Sequence, residues 1–440
     1  MFTRCALVGL FVALAGAVPC MSAQAGPTAQ APRVRPQWSV AFDSENGQFA
    51  TPHIVDTSVA DSGIAINLLG SAATVSWDGV RRWRVAADDI CPPGATYAGV
   101  NAVEKLPNGE AWVLRTCSGT GGVPARRELS RLAADGSVLA TANVDTIRPS
   151  WSSRLFAQPN GVIALVPERD GLRWLRIDND GTVVGEAFTD LIGPGHTVRI
   201  ANARIWPNGS ASVATWQYVP DCNISPPTAC PRPASTVLRL NTDGTERWRV
   251  EAGQVLAFVG FDDDGSSLIA ETRNTVPLRL RQISATGVAG PSFIAAGGEP
   301  IYLADAAGPV RGRYLAYSYT EQMLIDRDGT VLVRRDASEM GGAGGAAMAC
   351  GEMGFITGVS QSDGALVSAD DLSVLAVFDV DGLDNPYWQP TIWSLRNDGS
   401  VYANSLSQAD ILPPPQRARI SRFAVPGSPA AEVIFISRFD

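Results

Sequence analysis

Leu240-Asn241-Thr242-Asp243-Gly244-Thr245-Glu246-Arg247-Trp248-Arg249-Val250 is the stretch whose reading decides the fold. A β-prone run ends at an Asp-Gly pair, and a second run carrying a tryptophan leaves it. Asp-Gly suits a tight hairpin because glycine accepts positive φ and aspartate bonds to the backbone of its own turn. The figure returns at Asp78-Gly79-Val80-Arg81-Arg82-Trp83-Arg84-Val85, with tryptophan at the same offset. Asp135-Gly136, Asp180-Gly181 and Asp328-Gly329 keep the turn and drop the tryptophan.

Together with Gly287, Gly382 and Gly427, the glycines Gly79, Gly136, Gly181, Gly244 and Gly329 recur about every 50 residues, a period suited to propeller blades. A second series alternates with them: Asn108-Gly109, Asn160-Gly161, Asn208-Gly209, Asp264-Gly265, Arg311-Gly312, Asp363-Gly364 and Asp398-Gly399. Two hairpins per unit imply four strands. The flanking runs, such as Val162-Ile163-Ala164-Leu165, are short and β-prone, and a helical stripe is scarcely visible.

The expectation is an all-β chain forming a β-propeller of eight four-stranded blades. Seven remain open if the irregular units around Gly382 and Gly427 are one blade plus an extension. Residues 38–42 and 432–439 are candidate terminal strands, and placing them in neighbouring blades would close the ring. An outer-membrane barrel needs alternating strands of about 9 to 11 residues. Runs such as Val374-Leu375-Ala376-Val377-Phe378 instead carry apolar residues on both faces, as stacked blades require.

The pattern of Leu or Ile, a short spacer, Asp-Gly and then Trp resembles the blade repeat of quinoprotein-like and outer-membrane-assembly-factor-like β-propellers. It is complete from Leu240 to Trp248, and lacks the tryptophan in Ile177-Asp178-Asn179-Asp180-Gly181 and Ile325-Asp326-Arg327-Asp328-Gly329. The resemblance implies a propeller over most of the mature chain. It also brings up quinone-dependent dehydrogenases, with their aromatic platform, calcium and aspartate base. The long insertions and vicinal cysteines of that enzyme family are absent, so no active-site residue is carried over and no cofactor is expected.

Arg4, the apolar run 6–18 and the small residues Ala23-Gln24-Ala25 read as a secretory signal over 1–25, leaving 26–440 as a single propeller domain. Lipidation at Cys20 is the weaker reading, because Pro19 departs from the lipoprotein pattern. No later apolar run reaches the length of a spanning helix, so no transmembrane span is expected after signal removal, and the expected location is periplasmic or secreted. Net charge is −9, and Lys105 is the only lysine among 35 basic residues. With no basic cluster, nucleic acid is not an expected partner.

The seven cysteines fall to five once Cys5 and Cys20 leave with the signal. Cys222 and Cys230 bracket a loop holding Pro226 and Pro227, which suits a disulfide; Cys91 and Cys117 form a second candidate pair, and Cys350 is left over. No Cys-x-x-Cys occurs, and His53 and His196 stand outside any catalytic motif, so a metal site is not expected. The acidic groups Asp262-Asp263-Asp264 and Asp379, Asp381, Asp384 lack EF-hand spacing and read as solvated turns.

Tyr97, Arg199, Arg204, Trp216, Tyr218 and Asp221 are scattered ahead of the cysteine-bracketed insertion, with Trp216, Tyr218 and Asp221 the interface candidates. The functional expectation is a scaffold that binds a protein or envelope component through loops on one face. The alternative is an enzyme acting on a carbohydrate or another small extracellular substrate at the channel mouth.

Overall fold

The turn at 241–245 shows why the repeat keeps its residues. Asn241 N–H donates to Thr245 O (2.8 Å) and Gly244 N–H to Asn241 O (3.0 Å). Gly244 stands at φ 82, and the strand register slips between Arg239 and Leu240. This is a type I turn closed by a glycine bulge. Asp243 Oδ1 accepts from both the N–H (3.0 Å) and the hydroxyl (2.6 Å) of Thr245. Asp135 brackets Ser137 in the same way, and Asp264 brackets Ser266. Gly79, Gly136, Gly181 and Gly329 have φ of 85, 87, 89 and 88. Arg311-Gly312 is a different hairpin: both residues have positive φ (52 and 75), as a two-residue type I′ turn requires.

The computed structural model describes residues 31–43, 53–55, 64–67, 70–76, 78–106, 108–119, 125–147, 152–191, 197–218, 235–252, 256–273, 276–291, 293–294, 305–317, 321–336, 348–350, 353–358, 364–379, 388–395, 399–407 and 417–431. Their strands form eight sheets. Blade 1 is His53–Val55, Ile64–Asn67, Ser71–Val75 and Arg81–Ala86; blade 2 is Ala95–Lys105, Ala111–Gly119, Arg126–Leu132 and Val138–Asn143. Blade 3 is Arg154–Gln158, Gly161–Pro167, Gly171–Asp178 and Val183–Asp190; blade 4 is Thr197–Ile205, Ala211–Tyr218, Ser235–Leu240 and Glu246–Ala252. Blade 5 is Leu256–Phe261, Ser267–Arg273, Val276–Ile283 and Phe293–Ile294; blade 6 is Asp305–Val310, Arg313–Tyr317, Glu321–Ile325 and Val331–Asp336. Blade 7 is Met348–Cys350, Gly354–Gly358, Gly364–Val367 and Val374–Phe378; blade 8 begins with Trp388–Leu395, Ser400–Ser407 and Arg417–Ala424. The chain is therefore an all-β propeller of eight blades, and the seven-blade count falls away.

Blade 8 takes its fourth strand from the other end of the chain. Trp38–Asp43 runs antiparallel to Arg417–Ala424, from Trp38 opposite Arg422 to Asp43 opposite Arg417. The two ends meet in one blade, not in neighbouring blades as expected from the sequence, and residues 432–439 lie outside the described residues. Sharing a sheet closes the ring with backbone hydrogen bonds as well as packing. Arg33–Val34 adds a fifth, parallel strand to blade 7, where Val377 N–H donates to Pro32 O (3.0 Å) and Asp379 N–H to Val34 O (3.0 Å).

The seventh turn glycine is also not where the spacing placed it. Blade 7 closes its third hairpin at 368–373, where Ser368 N–H donates to Ser373 O (2.9 Å) and Leu372, at φ 58, takes the glycine's place. Leu372 is fully buried, so packing holds it in the left-handed region. Gly382 lies outside the described residues, between blades 7 and 8. Gly364 opens the third strand of blade 7, so Asp363-Gly364 belongs to the second hairpin and not the first.

Apolar clusters fill the gaps between blades. One joins blades 2 and 3 through Trp112, Leu114, Leu155 and Ile177; another joins blades 3 and 4 through Phe156, Trp174, Val213 and Leu238. Similar clusters join 4 to 5, 6 to 7, 7 to 8, 8 to 1 and 1 to 2. The middle strand Gly161–Pro167 is buried at every residue, as a sheet covered on both faces must be.

The same packing explains the tryptophan of the repeat. A Cβ on Gly79 would lie 2.9 Å from Trp38 Cγ, on Gly136 2.6 Å from Trp83 Cβ, and on Gly287 2.7 Å from Trp248 Cδ2. The tryptophan of one blade is seated on the turn glycine of the next. On Gly244 the place is taken by Trp174, from the third strand of blade 3.

Candidate functional site

In a four-stranded antiparallel meander, the first and third hairpins emerge on one side of the ring. The second hairpin and the link to the next blade emerge on the other. On the first side only the connections 56–63 and 284–292 exceed six residues, and the short turns pack together: a Cβ on Gly109 would meet Ala134, and one on Gly399 would meet Ser428. On the second side lie the ends of the long connections 120–125, 219–234 and 408–416, and of the links 87–94, 144–153, 295–304 and 337–347. That loop side, centred on the mouth ringed by the eight first strands, is the candidate site.

Tyr97, Arg154 and Arg199 stand near the loop-side starts of the first strands of blades 2, 3 and 4. Tyr97 is 47% exposed. Arg154 donates from Nη1 to Ser153 O (3.2 Å), and burial pushes its guanidinium down to about 10. Deeper in, polar side chains serve the backbone of the next blade. Glu104 Oε1 accepts from Ala157 N–H (3.1 Å), Ser152 Oγ from Ile200 N–H (3.3 Å), and Asn67 Nδ2 donates to Val100 O (3.0 Å). These bonds satisfy the inner strands where no further strand can pair with them.

The link between blades 1 and 2 is pinned beside this mouth. Cys91 and Cys117 are bonded, with Cα atoms 5.4 Å apart. Arg115 donates from Nη1 to Ala86 O (3.2 Å) and from Nη2 to Glu128 Oε1 (2.7 Å) and Ser130 Oγ (3.0 Å). The pair is buried, so neither charge is open to a ligand; each is kept there by the other.

The acidic run Asp262-Asp263-Asp264 lies on the opposite side and clamps blades together. Tyr314 of blade 6 donates to Asp262 (2.8 Å), Arg327 Nε stands 3.4 Å from the same carboxylate, and Arg327 also holds Asp264. Arg204 of blade 4 reaches Asp263 (2.6 Å). Burial pushes the Asp262 carboxyl up, and burial followed by the Asp262 charge pushes up the Tyr314 phenol. Among the described residues, no group of three His, Cys, Asp or Glu could hold a metal ion.

The residues singled out in the sequence do not all meet. Tyr97 and Arg199 share the loop side, whereas Arg204 belongs to the tight-turn side. Trp216 sits directly opposite Arg199 across two strands of blade 4. It packs on the cluster between blades 4 and 5, and its indole N–H has no acceptor among the described residues. Tyr218 ends its strand opposite Thr197, at the base of the 219–234 connection. Asp221, Cys222, Cys230 and His196 lie outside the described residues, as do the side chains of His53 and Cys350. Arg154 and the Asp262–Tyr314 clamp escaped the sequence reading, because nothing local marks a residue whose partners lie in another blade.

Sheets of this order, closed into a ring, define the β-propeller class. No known family profile matches the chain, and no curated protein sequence matches it. Solved structures do match. The quinohemoprotein alcohol dehydrogenase of Comamonas testosteroni superposes with a TM-score of 0.52 at 12% identity, covering 92% of this chain and 78% of that one. The corresponding enzyme of Pseudomonas putida HK5 gives 0.52 at 11% identity, covering 89% and 76%. Saccharomyces cerevisiae Sqt1 gives 0.50 at 10% identity, covering 85% and 98%. At such identities the likeness is of fold alone. No helix among the described residues is long and apolar enough to cross a membrane.

Proposed function

We propose that this chain is an exported propeller scaffold that grips a protein or an envelope component through the connections of its loop side. The observation that carries the reading is that every connection of ten or more residues, 144–153, 219–234, 295–304 and 337–347, lies on one side of the ring, with mostly short hairpins on the other. A rigid ring can hold many such loops at fixed spacing, and binding residues concentrate on loops placed by a rigid scaffold. Trp216 would brace the base of the 219–234 connection, while Tyr218 and Asp221 would meet the partner. Beside the loop side, Glu128 is committed to Arg115 and Ser130, which supports gripping over bond-making there.

The mature chain would begin after about Ala25, free in the periplasm or outside the cell and without a lipid on Cys20, with Cys222 bonded to Cys230. Intact mass of the exported protein reads leader removal, lipid and bonded thiols together. For the grip itself, 219–234 is replaced by a short Asn-Gly connection and both forms are used as bait on an envelope extract. The expected result is a specific partner retained by the native chain and lost from the replacement, with unchanged far-UV circular dichroism. The same partner on both baits would sink the assignment to that loop.

A further inference from the structure

Blades 2 and 4 carry the same arginine at the same register, and only one of them comes with an anion. In blade 2, Arg131 stands opposite Trp112, five positions before the turn glycine Gly136. Glu110, directly after Gly109, holds it, with Oε2 2.8 Å from Nε and 2.6 Å from Nη2. In blade 4, Arg239 stands opposite Ser212, five positions before Gly244. The residue directly after Gly209 is now Ser210, which is neutral. Arg239 donates to the Ser210 hydroxyl from Nη2 (3.0 Å) and to the Ser212 hydroxyl from Nη1 (2.8 Å).

The surroundings are cationic. Arg204 and Arg239 both lie over the Trp206 ring, at 4.3 and 4.5 Å from its centroid, and Arg247 is an exposed neighbour. Arg204 has Asp263 as its counter-charge, whereas among the described residues Arg239 donates to the two serine hydroxyls and pairs with no carboxylate. Burial, then repulsion from Arg247 and Arg204, pushes its guanidinium down to about 10, which leaves it charged at neutral pH. A guanidinium has five N–H donors, and the two serines occupy two of them.

We infer that Arg239, flanked by Arg247 and floored by Ser210, binds an oxyanion of the phosphate type on the tight-turn side of blade 4. The planar donor fork of arginine suits two phosphate oxygens at once, and the ligand would supply the charge that Glu110 supplies in blade 2. The site lies across the ring from the loop side, so it stands or falls independently of the proposed grip.

The experiment is calorimetric titration of the full chain with inorganic phosphate, and in a second arm with glycerol phosphate, at ionic strength held constant with chloride. Saturable binding with a Kd of about 1 mM is expected for a small ion at an arginine pair. Tighter binding of glycerol phosphate would mark a phosphate carried on a larger ligand, and equal binding the free ion. Ser210→Glu transplants the carboxylate of blade 2, and Arg247→Gln removes an exposed charge without touching the fold; each is expected to weaken binding at least tenfold. No saturable binding to the native chain, or undiminished binding in either variant, overturns the inference.

Discussion

Gly244→Ala is expected to destabilise the ring by about 3 kcal/mol, the sum of a backbone and a packing cost. The backbone cost arises because Gly244 holds φ 82, a left-handed conformation that costs an alanine about 1 kcal/mol. The packing cost arises because the new Cβ would lie 2.5 Å from Cδ2 and Cε3 of Trp174 and 2.7 Å from its Cγ. Trp174 is 1% exposed within the cluster between blades 3 and 4, so it moves only if that cluster repacks, which costs about 1–3 kcal/mol. Gly312→Ala is the control: φ is 75 and nothing lies within 4 Å, so only the backbone cost of about 1 kcal/mol applies. Urea melts followed by tryptophan fluorescence and circular dichroism give both losses. Trp174→Leu in the Gly244→Ala background should recover part of the packing cost, a coupling that a double-mutant cycle isolates. Equal losses at positions 244 and 312, with no coupling to Trp174, would refute the seating of tryptophan on the neighbouring turn.

Trp38→Ala removes the ring that packs on Gly79 and stands 6.1 Å from Tyr402, and should cost about 2–3 kcal/mol in the same melts, because the side chain is partly buried. Replacing Cys91 and Cys117 together by serine should cost about 3.5 kcal/mol, given a sequence separation of 26, and a reductant should lower the melting temperature of the native chain but not of the double variant. Arg311→Asn should stabilise by about 0.5–1 kcal/mol, since asparagine tolerates φ 52 in a type I′ turn better than arginine, and an unchanged or lower midpoint would count against that turn assignment. Hydrogen bonds from Ser137, Thr245 and Ser373 hold the carboxyls of Asp135, Asp243 and Asp371 below their ordinary value of 3.8. Their stabilisation is present above that value and is lost as pH falls through the lower folded ones. Thermal melts between pH 5 and 2 should therefore fall more steeply for the native chain than for the triple variant S137A/T245A/S373A.

The fold was legible because each hairpin writes its own geometry into adjacent residues. Asp243 and Gly244 carry the whole turn, and the offset of Trp248 reports a contact with the next blade. What misled the spacing was a substitution made possible by burial: Leu372 holds a left-handed turn because the surrounding core fixes it, so Gly382 filled the count from outside the turn. The closing strand at 38–43 was visible as a strand, but its partner across the whole chain left no local mark. Of the candidate site, the loops were legible as proline-rich and cysteine-bracketed stretches, whereas Arg154 and Asp262 depend on neighbours that only the ring supplies. Arg239 was within reach, since its five-residue lead over Gly244 repeats that of Arg131 over Gly136.

Sharing blade 8 between the two ends of the chain governs how this protein can be made. The hydroxyls of Ser39 and Ser421 lie 2.8 Å apart although 382 positions separate them in sequence. Contacts of that span slow folding, because most of the chain must be ordered before they can repay the loop they close. A polypeptide interrupted before residue 417 therefore yields an open arc and not a smaller wheel. Ile64 and Ile66 of its first blade, and Phe378 of its seventh, would then lack the neighbours that now cover them. Such fragments should be the aggregating and protease-sensitive species during synthesis.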